Sequence, residues 1–346
     1  MLRVGVIGAS GYTGSELIRF LLMHPGEVEL TCITSESYAG QPISKLHPNL
    51  KGLFDMKFEG LDAEKVSQKA DIVFLGLPHK QSMSYVPKFL DLGLRVIDFS
   101  ADYRLKSVEA YEKWYQEHTS PHLLKDAVYG LPELHRDEIR KADLVANPGC
   151  YPTGAILAIL PALKSGFVDT DNIIIDAKSG ISGAGKTPSE ATHFPNRYDN
   201  FAPYNMGTHR HTPEINQELS LAVGKDINVC FVPHYVPMTR GILTTAYLRL
   251  TRSTTTKELL DHYSCYYQNE PFVRVLDEGE LPQTQAVRGS NYIDIGLKVL
   301  PDLNMLIAVS AIDNLTKGAS SQALQNMNIM AGFEETAGLM YPGMMP

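Results

Sequence analysis

Over residues 1–149 the apolar positions cluster in short strand-like segments, each closed by turn residues. They are Leu2 to Ile7, Val28 to Thr34, Asp71 to Leu77, Leu94 to Ser100 and Leu144 to Asn147. Segments of this length predict strands, and strand, turn, helix and strand in succession predict an open parallel sheet covered by helices. Between the first two runs, Leu17, Ile18, Phe20, Leu21 and Leu22 recur at helical spacing. Beyond residue 165 the pattern changes. Asn172 to Lys178 predicts another strand. Asn228 to Pro233, Gly241 to Arg249, Tyr292 to Val299 and Asn304 to Ala311 alternate, which suits an antiparallel sheet with one covered face. Helices are predicted after Thr212 (Ile215, Leu219, Leu221), over Thr256 to Asn269, and from Ala319 through Met330. The tail, Met340 to Pro346, has no pattern and is expected to fray.

The first strand ends at Gly8-Ala9-Ser10-Gly11-Tyr12-Thr13-Gly14, and a helix and a second strand follow within a βαβ-sized span. That context turns a bare glycine spacing into a dinucleotide fingerprint, here GxxGxxG. Glycines let the backbone approach a pyrophosphate at a helix N-terminus. The second strand ends at Ser35-Glu36-Ser37. The two serines suit the 2′-phosphate of NADP and the acid suits the ribose hydroxyls of NAD, which leaves the choice open. Strand ends of an open parallel sheet face the ligand, so Leu77-Pro78-His79 and Ser100 to Arg104 fall on the cofactor side, with Arg104 an anion-ligand candidate. The fold class is therefore α/β: a Rossmann-type doubly wound nucleotide-binding domain plus an α+β domain with a mixed or antiparallel sheet.

Asn147-Pro148-Gly149-Cys150-Tyr151-Pro152-Thr153-Gly154 leads into the apolar run 155–160 and delivers a cysteine to a helix start, with the helix expected to run to Pro161. Helix N-termini favour a thiolate and can hold an oxyanion, although a lone cysteine also serves as a small packing residue. Four scattered cysteines (Cys32, Cys150, Cys230 and Cys265) have no metal-type pairing and predict free thiols in a reducing, cytoplasmic setting. Met1-Leu2-Arg3 runs directly into a strand, so no signal peptide is expected, and no apolar stretch is long enough to span a membrane. A net charge of −8 argues against a nucleic-acid partner.

Two further segments carry candidate chemistry. Ser179 to Lys186 is a glycine- and serine-rich loop whose spacing is not that of a P-loop. Thr208-His209-Arg210-His211-Thr212-Pro213-Glu214 places two histidines around an arginine at a helix start, a candidate acid/base and anion-binding cluster. No third residue is spaced for a metal site.

With these residues in view, the chain resembles the N-acetyl-γ-glutamyl-phosphate reductases of arginine biosynthesis, relatives of aspartate-semialdehyde and glyceraldehyde-3-phosphate dehydrogenases. GASGYTG at 8, AGQPISKLHPNLKG at 39, NPGCYPTG at 147, SGISGAG at 179, HRHTPEI at 209, PMTRGI at 237 and DNLTKGA at 313 carry the resemblance nearly end to end. It implies Cys150 as nucleophile, His209 or His211 as acid/base, and Arg104, Arg210, Tyr151 and Ser182 as ligands of a small acyl phosphate. It also implies NADP(H) held by Gly8, Ser10, Gly11, Tyr12, Thr13, Gly14, Ser35, Ser37, Leu77 and Pro78, with Ser179, Gly180, Gly183 and Asn314 beside the nicotinamide. The expected organisation is a nucleotide-binding domain over 1–149, a catalytic and oligomerisation domain over 150–314, and a helix over 315–335 returning to the first. A homodimer or homotetramer is expected. The rival readings are reduction of a carrier-linked aminoadipyl phosphate or of aspartyl phosphate, and, in a different class, a catalytically silent nucleotide sensor.

Overall fold

The computed structural model describes residues 1–345; Pro346, the end of the tail, lies outside them. The chain forms two compact units, residues 1–148 with 319–340, and residues 149–318 with 341–345. In the first unit, strands β1 (Leu2–Ile7), β2 (Val28–Ile33), β3 (Ile72–Leu75), β4 (Arg95–Asp98), β5 (Val128–Tyr129) and β6 (Leu144–Ala146) pair in the order β2-β1-β3-β4-β6-β5, every pair parallel. At the centre of this sheet β3, an unbroken apolar run, is buried at every position and so is covered on both faces. Parallel crossovers are right-handed. Stepping outward from β1 to β2 and then back across to β3 therefore places successive connections on opposite faces. The reversal falls at the C-terminal end of β1, where helix α1 (Tyr12–Leu22) begins.

The second unit contains β7 (Ile174–Ser179), β8 (Ala202–Pro203), β9 (Cys230–Tyr235), β10 (Ile242–Arg249), β11 (Val273–Val275), β12 (Ile293–Leu300) and β13 (Met305–Ile312), ordered β11-β12-β13-β10-β7-β9-β8. The sheet is mixed: β7 runs parallel to β9 and β11 to β12, and the remaining pairs are antiparallel. Helix α2 (Cys150–Lys164) packs on β10 and β13, and is joined by α3 (Thr212–Val223) and α4 (Thr256–Tyr266). On the opposite face Leu243, Tyr247, Ile307 and Val309 stay half-buried, as their alternation requires.

α2 does not stop at Pro161 but continues to Lys164. Proline removes the amide that would bond the carbonyl four residues earlier. The Tyr267 hydroxyl replaces it, donating to Leu157 O at 2.6 Å. A one-turn strain is thus relieved by a tertiary contact that no local pattern announces.

The C-terminal helix α5 (Ser320–Ala331) belongs to the first unit and is shorter than the expected 315–335. Asp313 folds the preceding residues into a turn, accepting from the amides of Gly318 (backbone O) and Leu315 (Oδ1), and Gly332 at φ +74° ends the helix. α5 buries Ser320, Ser321, Gln322, Gln325, Asn326 and Asn328 completely. Buried amides need partners. Gln322 Nε2 and Asn326 Nδ2 both donate to Gly130 O, and Asn326 also donates to Asn147 Oδ1. In the tail, expected to fray, the Met344 amide donates to Arg288 O at 2.7 Å. Among the described residues no helix is long and apolar enough to cross a membrane.

Candidate active site

In the first unit the three glycines of the turn do different work. Gly8 has φ +76°, and a Cβ there would lie 2.5 Å from Gly76 O. A Cβ on Gly14 would lie 2.6 Å from Ala9 O, so that position permits close packing of α1 on the turn. Gly11, the N-cap of α1, faces open space, with nothing within 4 Å of its would-be Cβ. Tight turn, open approach and close packing are the division of labour of a dinucleotide-binding turn, and the α1 N-terminus suits its pyrophosphate. Ser10, Tyr12 and Thr13 lie in the same turn, and Gly8 N donates to Thr34 Oγ1 at the end of β2. Ser35 is buried and Ser37 exposed, while Glu36 Oε1 accepts the Leu61 amide at 2.8 Å. Leu77 and Pro78 follow β3. Arg104, 5% exposed, follows β4 and donates from Nη2 to Phe99 O at 2.7 Å.

In the second unit Cys150 is the first residue of the fifteen-residue helix α2, with Gly149 as N-cap. The Gly149 amide donates to Glu214 Oε1 at 2.7 Å, and Glu214, 1% exposed, lies in the first turn of α3. Thr153 N–H closes the first turn onto Gly149 O. Gly318 sits against the cysteine, since a Cβ placed there would lie 2.8 Å from Cys150 Cβ. Tyr151, Tyr204 and Tyr235 lie within electrostatic reach of Cys150. Burial raises all three phenols, and the charge of Cys150 raises them further, so they remain protonated donors.

The two histidines are not equivalent. His209 is 9% exposed, and its Nδ1 accepts the His211 amide at 3.1 Å. The ring proton is accordingly assigned to Nε2, 3.3 Å from the Tyr204 hydroxyl. Tyr204 donates to Tyr151 Oη at 3.0 Å, and Tyr151 donates to His234 O at 3.3 Å. This chain ends on a backbone carbonyl. Burial, and then the charge of Arg210, lower His209 to about 4. His211, the N-cap of α3, is half-buried and lies edge-on to Tyr151 and His209 at 5.9 and 4.8 Å between centroids. Arg210 is exposed.

The low value for His209 has a consequence for stability. Unfolded histidine takes up a proton near 6.5, whereas the folded ring resists it down to about 4. Acidification through that window protonates the unfolded chain first, so stability present above it falls by up to about 3 kcal/mol. Urea midpoints measured from pH 7 to 4 should show this slope, and His209→Asn should flatten it. Equal slopes in the two proteins would remove His209 as the cause.

Ser179 and Ser182 are buried, and Ser182 Oγ accepts from Asn314 Nδ2 at 2.9 Å. Asn314 Oδ1 accepts the Gly241 amide at 2.8 Å, so one carboxamide fixes the glycine-rich loop against the start of β10. A Cβ on Gly180 would lie 2.7 Å from Thr239 O, and one on Gly183 3.7 Å from Asn314 Nδ2. The second unit thus brings together Cys150, Tyr151, His209 and His211, and joins Ser182 to Asn314. The glycine turn, Ser35, Ser37, Leu77, Pro78 and Arg104 belong to the first unit. Sequence reasoning missed Glu214, Tyr204, Tyr235 and Gly318. A glutamate in the first turn after Pro213 was the one available signal for Glu214.

Residues 3–142 match the family model described as the semialdehyde dehydrogenase NAD binding domain, and residues 150–314 that of the semialdehyde dehydrogenase dimerisation domain. The chain is 54% identical to the N-acetyl-gamma-glutamyl-phosphate reductase of Geobacter metallireducens over 98% of each chain. It is 51% identical to the protein of that name from Acetivibrio thermocellus over 99% of each. Its fold is similar to that of aspartate semialdehyde dehydrogenase II from Vibrio cholerae, with a TM-score of 0.75 and 16% identity over 96% of this chain and 99% of that one. It is similar too to aspartate semialdehyde dehydrogenase with NADP from Candida albicans, with a TM-score of 0.71 and 17% identity over 96% and 99%.

Proposed function

The chain belongs to the N-acetyl-γ-glutamyl-phosphate reductase family of semialdehyde dehydrogenases, and on that premise we propose that Cys150 carries the reduction of N-acetyl-L-glutamyl 5-phosphate to the 5-semialdehyde and phosphate through a thioester. The observation that carries this reading is Cys150 at the first position of α2, its neighbouring amide held by Glu214 from the same turn that presents His211. The thiolate attacks the acyl carbon and the phosphate leaves, generating a thioester. The first unit binds a nicotinamide nucleotide, which when bound supplies the hydride for reduction to the aldehyde level. His211 protonates the thiohemiacetal oxygen as it forms, then takes the proton back as the C–S bond breaks and the semialdehyde departs. His209 holds His211 in place rather than exchanging protons, because both its ring nitrogens are committed and it stays neutral at working pH. Arg104 and Arg210 are assigned to the anionic groups of the substrate.

NADP(H) is the proposed cofactor. Glu36 gives one carboxylate oxygen to the Leu61 amide, which weakens its claim on ribose hydroxyls, and Ser35 and Ser37 flank it as phosphate partners. A homodimer or homotetramer is proposed from the half-buried apolar face of Leu243, Tyr247, Ile307 and Val309; a monomeric mass in solution would refute it.

The test runs the reaction backwards with N-acetylglutamate semialdehyde and NADP, following nicotinamide absorbance. NADPH formation strictly dependent on phosphate is expected, with a much weaker signal from NAD. Activity with aspartate semialdehyde or an aminoadipate semialdehyde instead would keep the thioester chemistry and change the substrate. Silence with all three would defeat the proposal.

A further inference from the structure

Arg104 and the loop after β3 lie on separate segments of the first unit, and one buried carboxylate joins them. Asp102 is fully buried. Its Oδ1 accepts the Lys80 amide at 2.9 Å and the Tyr111 hydroxyl at 2.8 Å, and its Oδ2 accepts the Met83 amide at 3.2 Å. A second tie runs the other way, from the Ala101 amide to His79 Nδ1 at 3.0 Å. Lys80 takes φ +75°, a conformation unfavourable for a non-glycine residue that the surrounding contacts help to hold. On the β4 side, the Asp102 amide donates to Ser100 Oγ, which itself donates to Asp98 Oδ2 at 2.5 Å. The Arg104 amide closes the same turn onto Ala101 O. One residue, Tyr103, therefore separates a carboxylate fixed by three donors from the residue that carries the guanidinium.

We propose that Asp102 is a positioning residue that sets Arg104 and the loop carrying Leu77 and Pro78 in one register, so that phosphate and cofactor affinity depend on a side chain that touches neither. This rests on the reading of Arg104 as a phosphate ligand and of that loop as part of the cofactor site. A side chain that only stabilised the fold would lower the amount of active protein without moving a ligand constant. A positioning residue moves the constants and leaves saturated turnover nearly intact.

The test uses the full-length protein and inorganic phosphate in the reverse assay. Asp102→Asn keeps the shape but presents an NH2 group to one of the amide donors. Its KM for phosphate should rise about tenfold and its Kd for NADPH, read by fluorescence titration without turnover, about threefold, with kcat within about twofold. Tyr111→Phe removes one donor and no carboxylate, and should raise the phosphate KM about threefold; it decides the matter if the first variant does not fold. Arg104→Gln is the reference. If it raises the phosphate KM while Asp102→Asn and Tyr111→Phe do not, the positioning role is overturned and the arginine reading survives. If Arg104→Gln leaves that KM unchanged, both fall together.

Discussion

Replacing Cys150 with serine is expected to reduce turnover by about 10³-fold or more while NADPH binds as before. The hydroxyl occupies nearly the volume of the thiol, so the contact with Gly318 and the buried seat of α2 survive. The chemistry does not. A helix N-terminus that stabilises a thiolate cannot bring a serine hydroxyl, with its far higher pKa, to a comparable population of anion, and an oxygen ester is a poorer hydride acceptor than a thioester. Turnover and an NADPH titration on the same preparation separate the two effects. A rate near that of the parent would end the thioester mechanism, and loss of NADPH binding would mean that the substitution had damaged more than the nucleophile.

Gly318→Ala is expected to lower the rate as well, without changing any group that reacts. The added methyl would lie 2.8 Å from Cys150 Cβ and 2.7 Å from Asn314 O. Neither neighbour can retreat easily. Residues 151–163 of the helix behind Cys150 are all buried, and the Asn314 carboxamide is bonded to Gly241 and Ser182. Overpacking of this kind costs about 1–3 kcal/mol of stability. Displacing a nucleophile by about 1 Å costs about 10²-fold in rate. The expected result is a kcat lowered about 10²-fold, slowed alkylation of Cys150 and a modestly lowered unfolding midpoint. Parental kcat with an unchanged midpoint would show that the close approach is not maintained in solution.

The parallel sheet was legible because β3 is a continuous apolar run and β1 and β4 are apolar at their centres, and the glycine turn because strand, turn and helix follow in strict order. β5 was not, since Val128 and Tyr129 are too few to form a pattern and pair only because β6 offers an edge. The second sheet was legible in its alternation but not in its two parallel pairings, which depend on which strands meet rather than on any one strand's sequence. At the site, Cys150 and the histidines declared themselves by residue type and position. The difference between His209 and His211 did not, because it lies in burial and in a hydrogen-bond chain through Tyr204 and Tyr151, far apart in sequence. Glu214 reads as an ordinary first-turn acid until the Gly149 amide is found on it.

The polar helix α5 gives the chain an order of assembly. It supplies the donors for Gly130 O and the partner for Asn147, yet it is translated after residues 149–318 of the second unit. A ribosome that has released residues 1–148 has produced all six strands of the first sheet and none of the helix that closes on Gly130 and Asn147. Domains commonly fold as they emerge, N-terminal first. Here the earliest unit to emerge cannot be finished until residues 149–318 of the second have been made. A nascent chain stalled before Ser320 would carry a glycine turn ready for its nucleotide on a scaffold still missing a wall, exposed for that interval to chaperones and proteases.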